Sequence, residues 1–367
     1  MHSLREDQAA VPIIGWLNML NGRLRQRYFR NFFDSAISAI CIGLGILVFV
    51  DLIQWAVVDS VWQAKNAAEC LQRGTGACWA VIPARIRLIL FGVYPFAEQW
   101  RAGIGCIVLL AACILSCVPF FWRIARLATL WIISFSLFLG LMRGGALGLP
   151  LISTEQWGGL ALTFVVFASI MIMGMPLATL LALARHSGPR WARLAVGACI
   201  DLVRSVPLIA ILFGASLIIP LLLPVWLSGD KLFRVILGFS LFLACYQAEI
   251  LRGGLQAIDP GQEQAAKALG MRYWQYQLTV ILPQVFRITL PQTVNQVVSG
   301  FKDTSYVAIV GFFDLVASGS AALGTGDWAI AFVEVYVVVG FLYFVFGYSL
   351  SRYGIHVERQ MGAAFQR

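Results

Sequence analysis

Apolar residues run through this chain in long unbroken stretches, and a stretch of about 20 is what a helix needs to cross the hydrocarbon of a bilayer. Eight read as candidate spans: 34–56, 102–121, 127–142 (the shortest), 158–184, 196–219, 232–251, 289–311 and 328–351. A soluble fold needs a polar coat, and globular chains carry about 25% charged residues. This chain carries 12%, with 60% hydrophobic residues and a mean hydropathy of +0.81. Lipid removes the need for a coat but offers backbone groups no water, so only helices or a closed barrel can span it. Barrel strands alternate apolar and polar residues, and these runs do not. The expected fold class is an all-α membrane protein with about eight transmembrane helices.

A polar arm with Arg23, Arg25, Arg27 and Arg30 precedes the first run. That run is too long for a signal peptide and no small-x-small cleavage site follows at the right distance, so an uncleaved first span is expected. With the N-terminus in the cytoplasm, most Lys and Arg fall on inner segments, among them the arm, Arg123, Arg126, Arg185, Arg190, Arg193, Arg252, Lys267 and Arg352. The positive-inside rule then predicts both termini cytoplasmic. Arg85, Arg87 and Arg101, placed outside in a long loop, are its weak point. The net charge of +9 fits this bias, since the basic residues sit singly beside apolar runs and not in the clusters with aromatic stacking surfaces that nucleic-acid binding requires. The apolar stretch 88–96 contains Pro95, is too short to cross, and is expected to be interfacial or re-entrant.

Residues 1–150 thus hold three spans and a polar outer loop, and residues 151–367 hold five spans and one long cytoplasmic insertion. Cys41, Cys106, Cys113, Cys117, Cys199 and Cys245 lie in or beside apolar runs and read as small hydrophobes. Cys70 and Cys78 lie in the outer loop, and their spacing leaves open whether they are bonded. His2, His186 and His356 are too scattered to suggest a metal site.

The insertion after the sixth span carries the functional signal. Asp259 is a good N-cap and Pro260 fits the first helical position. Residues 260–269 favour helix, Gly270 can take the left-handed conformation that ends one, and a second short helix is expected from Tyr273 to Leu282, stopping at Pro283. The small alanines permit close approach, and Tyr273, Trp274 and Tyr276 offer aromatic contact area. The residues alone leave open whether this element docks a partner or packs on its own bundle.

The stretch resembles the EAA motif of bacterial binding-protein-dependent ABC permeases: Glu-Ala-Ala, three residues, Gly, nine residues, an aliphatic residue, any residue, then Leu-Pro. Here the run is Gln264-Ala265-Ala266, three residues, Gly270, nine residues, Val280, Ile281 and Leu282-Pro283. The spacing agrees throughout, but Gln264 replaces the family glutamate, keeping hydrogen bonding while losing charge. Tyr246-Gln247-Ala248-Glu249 with Arg252-Gly253-Gly254, Asp201 to Leu208, and Lys302-Asp303-Thr304-Ser305 are similar to the polar amino-acid group of that family, so the likeness covers residues 155–355. The first 150 residues resemble the extension of longer general L-amino-acid permeases.

The resemblance implies a type I ABC importer core of the MetI-like kind in the bacterial inner membrane, with no cofactor. It implies a separate ATPase docking on residues 259–283, a second permease or second copy, a periplasmic solute-binding protein, and L-amino acids as cargo. The chain has no phosphate-cradling G-x-x-x-x-G-K-[ST] of its own.

Polar residues at membrane depth are costly and mark function by default. The seventh span has the densest set, with Gln292, Asn295, Gln296, Ser299, Lys302, Asp303 and Thr304. A zwitterion needs a cationic partner and an acidic one, which Lys302 and Asp303 would supply, with Asn295, Gln296 and Thr304 beside them. The competing reading is structural, with Lys302 and Asp303 paired to each other, Glu249 or Glu334. Gly300 would let backbone approach solute, while Met171, Met173 and Met175 read as packing. The rival functional reading is an ion-coupled secondary transporter, which often shows two related halves. No such symmetry is visible, and the cytoplasmic motif would have no role in it.

Overall fold

The computed structural model describes residue 28 and residues 31–146, 148–324 and 328–363. The arm arginines Arg23, Arg25, Arg27 and Arg30 lie outside the described residues. The chain divides between Ala80 and Val81 into two compact units.

In the first unit, α1 (Phe32–Ile53) continues through a π-helical turn to Val58. Cys70 and Cys78 are joined as a disulfide with Cα atoms 5.8 Å apart, which answers the question their spacing left open. Cys70 lies in α2 (Ala67–Arg73), whose first turn is closed by Asn66 Oδ1 accepting the Glu69 N–H at 2.9 Å. Trp79 packs on Trp62 and Trp55 and donates to the Ala56 carbonyl.

The second unit comprises α3 (Val81–Phe91), α4 (Gln99–Ser116), α5 (Ile124–Arg143), α6 (Gly159–Ser187), the bent pair α7 (Arg190–Ser205) and α8 (Leu208–Leu222), and α9 (Lys231–Gln256). The short α10 (Pro260–Ala268) and α11 (Tyr273–Tyr276) follow, then α12 (Leu282–Asp303), α13 (Leu315–Leu323) and α14 (Phe332–Ala363).

Among the described residues six helices are long and apolar enough to cross a membrane, or seven if the bent pair is one span. Two expected spans account for the difference from eight. The run 196–219 is broken by a 103° bend. Pro207 has no N–H and pushes Val206 into extended backbone, at φ −99° and ψ 133°. Upstream of the break, α7 carries Arg190, Arg193, Asp201 and Arg204, too many charges for hydrocarbon. The expected span 289–311 starts earlier, at Leu282, and gives way after Asp303 to a 3₁₀ segment, Thr304–Val310. Its 22 residues suffice for a crossing in length, but its polar side chains keep it out of the apolar set.

Of the arginines that weakened the topology argument, Arg101 is held inside the protein and Arg87 lies against its surface. Arg101 is fully buried and donates to the carbonyls of Leu141 and Pro150. Arg87 donates to Gln99 Oε1 and the Phe96 carbonyl and lies over the Phe96 ring.

The centre of the unit is the crossing of α6 and α9, the most extensive helix contact. One buried cluster gathers Leu109, Phe138, Leu162, Ile170, Phe239 and Phe301, and a second gathers Ala178, Ala182, Ala244, Ala248, Leu251, Ala266 and Val285. Met171 and Met173 pack against the first, as expected. Gly300 does not open toward solute: a Cβ there would sit 2.9 Å from Met171 Cε and 3.0 Å from a Leu243 methyl, so its smallness serves helix packing. Gly254 does the same between α9 and α12, where a Cβ would fall 2.5 Å from Thr289 Cγ2 and 3.0 Å from Val285 Cγ1.

Replacing Gly254 with Val should therefore force α9 and α12 apart and cost about 1–3 kcal/mol. Thermal unfolding of the purified protein in detergent should show a lowered midpoint. Gly253→Val, next door with open space around its Cβ, should change it little.

Candidate coupling and translocation site

The insertion folds as its residues dictate. Asp259 Oδ1 accepts the Gly261 N–H at 2.8 Å, and Pro260 opens α10. The helix ends with Met271 N–H reaching the Ala266 carbonyl (3.2 Å) and Gly270 N–H reaching that of Lys267 (2.9 Å), a Schellman closure around Gly270 at φ +74°. Beyond α11 the expected stop at Pro283 does not occur. Residues Gln277–Ile281 form a π-helical turn and Pro283 lies in the first turn of α12, where a missing N–H costs nothing.

This element has two faces. Ala266 and Tyr276 are buried with Leu255, Ile281, Leu282 and Val285 in the inner cluster. Glu263 also turns inward: Tyr276 Oη donates to it at 3.0 Å and Lys267 Nζ lies at 2.8 Å. The Lys267 hydrogen bond holds the Glu263 carboxyl below its usual pKa and raises that of Lys267. Gln264, Ala265 and Gly270 face solvent with Leu269, 82% exposed, and Trp274, 55% exposed. Pro283 is also exposed, while Leu282 is anchored.

A second assembly lies at the nearby ends of α6, α7 and α9, where two sequence motifs converge. Glu249 accepts from Arg185 Nη1 at 2.7 Å and from Arg252 Nε and Nη2 at 3.0 and 2.9 Å, and Arg204 Nη1 stands 3.7 Å away. Arg185 also spans Asp201, at 3.1 and 3.2 Å. Tyr246 donates to the Arg204 carbonyl and lies beneath its guanidinium. The Glu249 side chain is only 14% exposed. Arg185, Arg204 and Glu249 belong to three different helices, so beyond the Glu249–Arg252 spacing the cluster was not visible in the sequence, although all its members but Arg185 sit in the quoted motifs. It removes Glu249 as a structural partner for Lys302 or Asp303, and no ion pair joins those two among the described residues.

On α12, Gln292, Asn295 and Lys302 are exposed and follow one another at helical spacing, with Ser299 half-buried between them. Gln296 and Asp303 are half-buried, each one position round from the stripe. Thr304 stands apart, fully buried, its hydroxyl donating to the Phe301 carbonyl at 2.7 Å. The structure thus brings Asn295, Gln296, Lys302 and Asp303 to one side of a helix and separates Thr304 from them. A polar stripe exposed at membrane depth cannot rest against lipid, so it must face a partner helix or a hydrated path.

Residues 174–362 match the family described as Binding-protein-dependent transport system inner membrane component. The chain is also 36% identical over 343 residues to the inner membrane amino-acid ABC transporter permease protein YhdY of Escherichia coli K12, covering 92% of each. The chain belongs to this family. As a permease it leaves ATP hydrolysis to a separate subunit. It is 32% identical to the glutamate/glutamine/aspartate/asparagine transport system permease protein BztC of Rhodobacter capsulatus, covering 90% of this chain and 92% of that one. A solved amino acid ABC transporter with histidines aligns with 25% identity and a TM-score of 0.47, covering 54% of this chain and 90% of its own.

Within the permease the Glu249 cluster makes a direct prediction. Glu249→Gln leaves three guanidiniums around a neutral amide and should lower stability by about 2 kcal/mol. Asp201→Asn, at a carboxylate that is 60% exposed, should cost much less. Denaturant or thermal unfolding of the two variants side by side measures the difference.

Proposed function

We propose that this permease carries L-amino acids across the bacterial inner membrane, driven by a separate ATPase that docks on residues 259–283. The observation that carries the reading is the two-faced insertion. Its buried side is fixed to the bundle by Ala266, Tyr276 and the Glu263 contacts, and its exposed side offers Gln264, Ala265, Leu269 and Trp274. An exposed apolar face on a rigid element, with small residues that allow close approach, is what a docking partner needs. Gln264 gives that partner a neutral hydrogen-bonding contact in place of an ion pair. The relatives named as amino-acid permeases supply the cargo class.

In this reading both termini are cytoplasmic. The Lys and Arg distribution supports that, and the ion pair of Arg101 with Glu98 offsets part of the contrary charge. The Cys70–Cys78 bond suits a loop on the oxidising, periplasmic side, where a solute-binding protein would dock. Residues 1–150 form an extension and 151–367 the permease core. The α12 stripe faces a second permease subunit across the pathway. Asp303 is the partner for the solute ammonium, and Lys302, with Asn295 and Gln296, for its carboxylate. Thr304 acts from behind by fixing the end of α12.

The test is uptake into proteoliposomes. Transport should require the ATPase subunit and ATP. Gly270→Trp should abolish it while insertion and folding persist, because the Gly270 Cβ points into open space on the docking side. Gly270→Asn, which tolerates positive φ, should retain most activity. Uptake without any ATPase, or normal uptake by Gly270→Trp, overturns the reading.

A further inference from the structure

In the second unit α4 packs on α5 and α6 but leaves a crevice on the side of α12 and α14. A cavity of about 260 Å³ lies between α4, α6, α12 and α14, walled by residues such as Leu109, Cys113, Phe164, Phe301, Phe346 and Leu350. Its hydroxyl groups are already engaged: Ser349 donates to the Val345 carbonyl at 2.7 Å, and Tyr353 to that of Cys117 at 3.3 Å. A water needs two to four polar partners, so this space is a poor home for solvent. Because α4, α6 and α14 are all long and apolar enough to cross the bilayer, the crevice lies where hydrocarbon is the medium.

One end is chemically distinct. Cys117 and Tyr353 line it, Arg352 adjoins Tyr353 in the chain, and the turn after Cys117 leads to Arg123 and Arg126. Arg126 lies 4.1 Å over the Phe120 ring and donates to the Phe120 carbonyl, which holds it at this turn. Arg352 lies 6.0 Å over the Tyr348 ring. Neither 117–126 nor 343–357 contains an acidic residue, and among the described residues none of these three arginines makes an ion pair. Guanidiniums without acidic partners, carried by the two segments that close an apolar slot, fit an anion with a hydrocarbon tail. Basic pockets between transmembrane helices recognise anionic lipid headgroups in this way.

We propose that the crevice is a binding site for one anionic phospholipid, with an acyl chain against Phe164, Phe301 and Leu350 and the phosphate held by Arg123, Arg126 and Arg352. The site depends only on the chain spanning a membrane and on no assumption about cargo or ATPase. It would tie α4, which lies outside the residues matched to the family, to Phe301, the residue preceding Lys302 on α12. Phe301 is locked among Phe167, Tyr343 and Phe346 by ring contacts of 5.2 to 5.9 Å, so a tail filling the crevice would brace the end of α12 from behind.

The test is the lipid that stays with the full-length protein purified in mild detergent, measured by native mass spectrometry after exchange against equal phosphatidylglycerol and phosphatidylcholine. The wild type should retain one phosphatidylglycerol in preference. Arg126→Gln with Arg352→Gln should cut that preference roughly tenfold or more. Leu350→Trp, which fills the crevice, should lose the bound lipid while the arginines remain, and soluble glycerol phosphate should not compete. Equal retention of both lipids by the wild type, or a preference unchanged in the arginine variant, would overturn the proposal. So would efficient competition by glycerol phosphate, since the tail would then contribute nothing.

Discussion

The close approach of α6 and α9 sets the rest of the molecule. In lipid there is no hydrophobic force to press two helices together, so they associate through van der Waals contact and polar bonds. Gly174, Ala178 and Ala182 on α6 meet Ser240, Ala244 and Ala248 on α9, and a Cβ at Gly174 would fall 2.7 Å from a Leu243 methyl. The two helices run in the same direction, since Gly174 lies beside Leu243 and Arg185 meets Glu249 further along both. Parallel neighbours need a crossover, and the bent α7–α8 pair provides it. The tight crossing therefore fixes where Arg185, Asp201 and Arg204 are delivered, and the Glu249 cluster is a consequence of backbone distance as much as of charge.

The same helix distributes its polar residues to different neighbours. Gln247, fully buried, donates to Thr293 Oγ1 of α12 at 2.8 Å. Ala248 packs in the inner cluster, Glu249 gathers the arginines, and Gly254 lets α12 pass close by. Each successive element of the motif read in the sequence as Tyr246 to Gly254 thus has a separate structural task, and together they fix α9 to α6, α7 and α12.

What could be read in advance follows from whether the cause is local. The α10 cap, the left-handed Gly270 and the apolar lengths of α1, α4, α5, α6, α9 and α14 are decided by neighbouring residues, and the structure has them where the residues place them. The break at Pro207 was local too, but a hydropathy run conceals it because apolar residues flank both sides. The helix passing through Pro283 turns on a π-helical segment whose cause does not lie in any single residue. The Glu249 cluster, the packing use of Gly300 and the internal bonding of Arg101 depend on segments from 40 residues apart (Arg101 and Leu141) to 129 (Met171 and Gly300), which periodicity cannot bring together.

These contacts give the proposed coupling a mechanical basis. Glu263 ties α10 to α11 through Tyr276, and the π-helical turn carries α11 without a break into α12. A force applied to the exposed face of Leu269 and Trp274 therefore acts on α12, the helix that bears the polar stripe, and not on a slack loop. Toward its Pro283 end α12 is held by Gly254 and by a hydrogen bond from Gln247, both on α9, and Val294 packs closely on Gly354 of α14. At the other end Phe301 is set in an aromatic cluster with α6 and α14. Held at both ends in this way, α12 is tied to α9, α6 and α14, so movement of α11 in the proposed coupling has to be shared by those three helices.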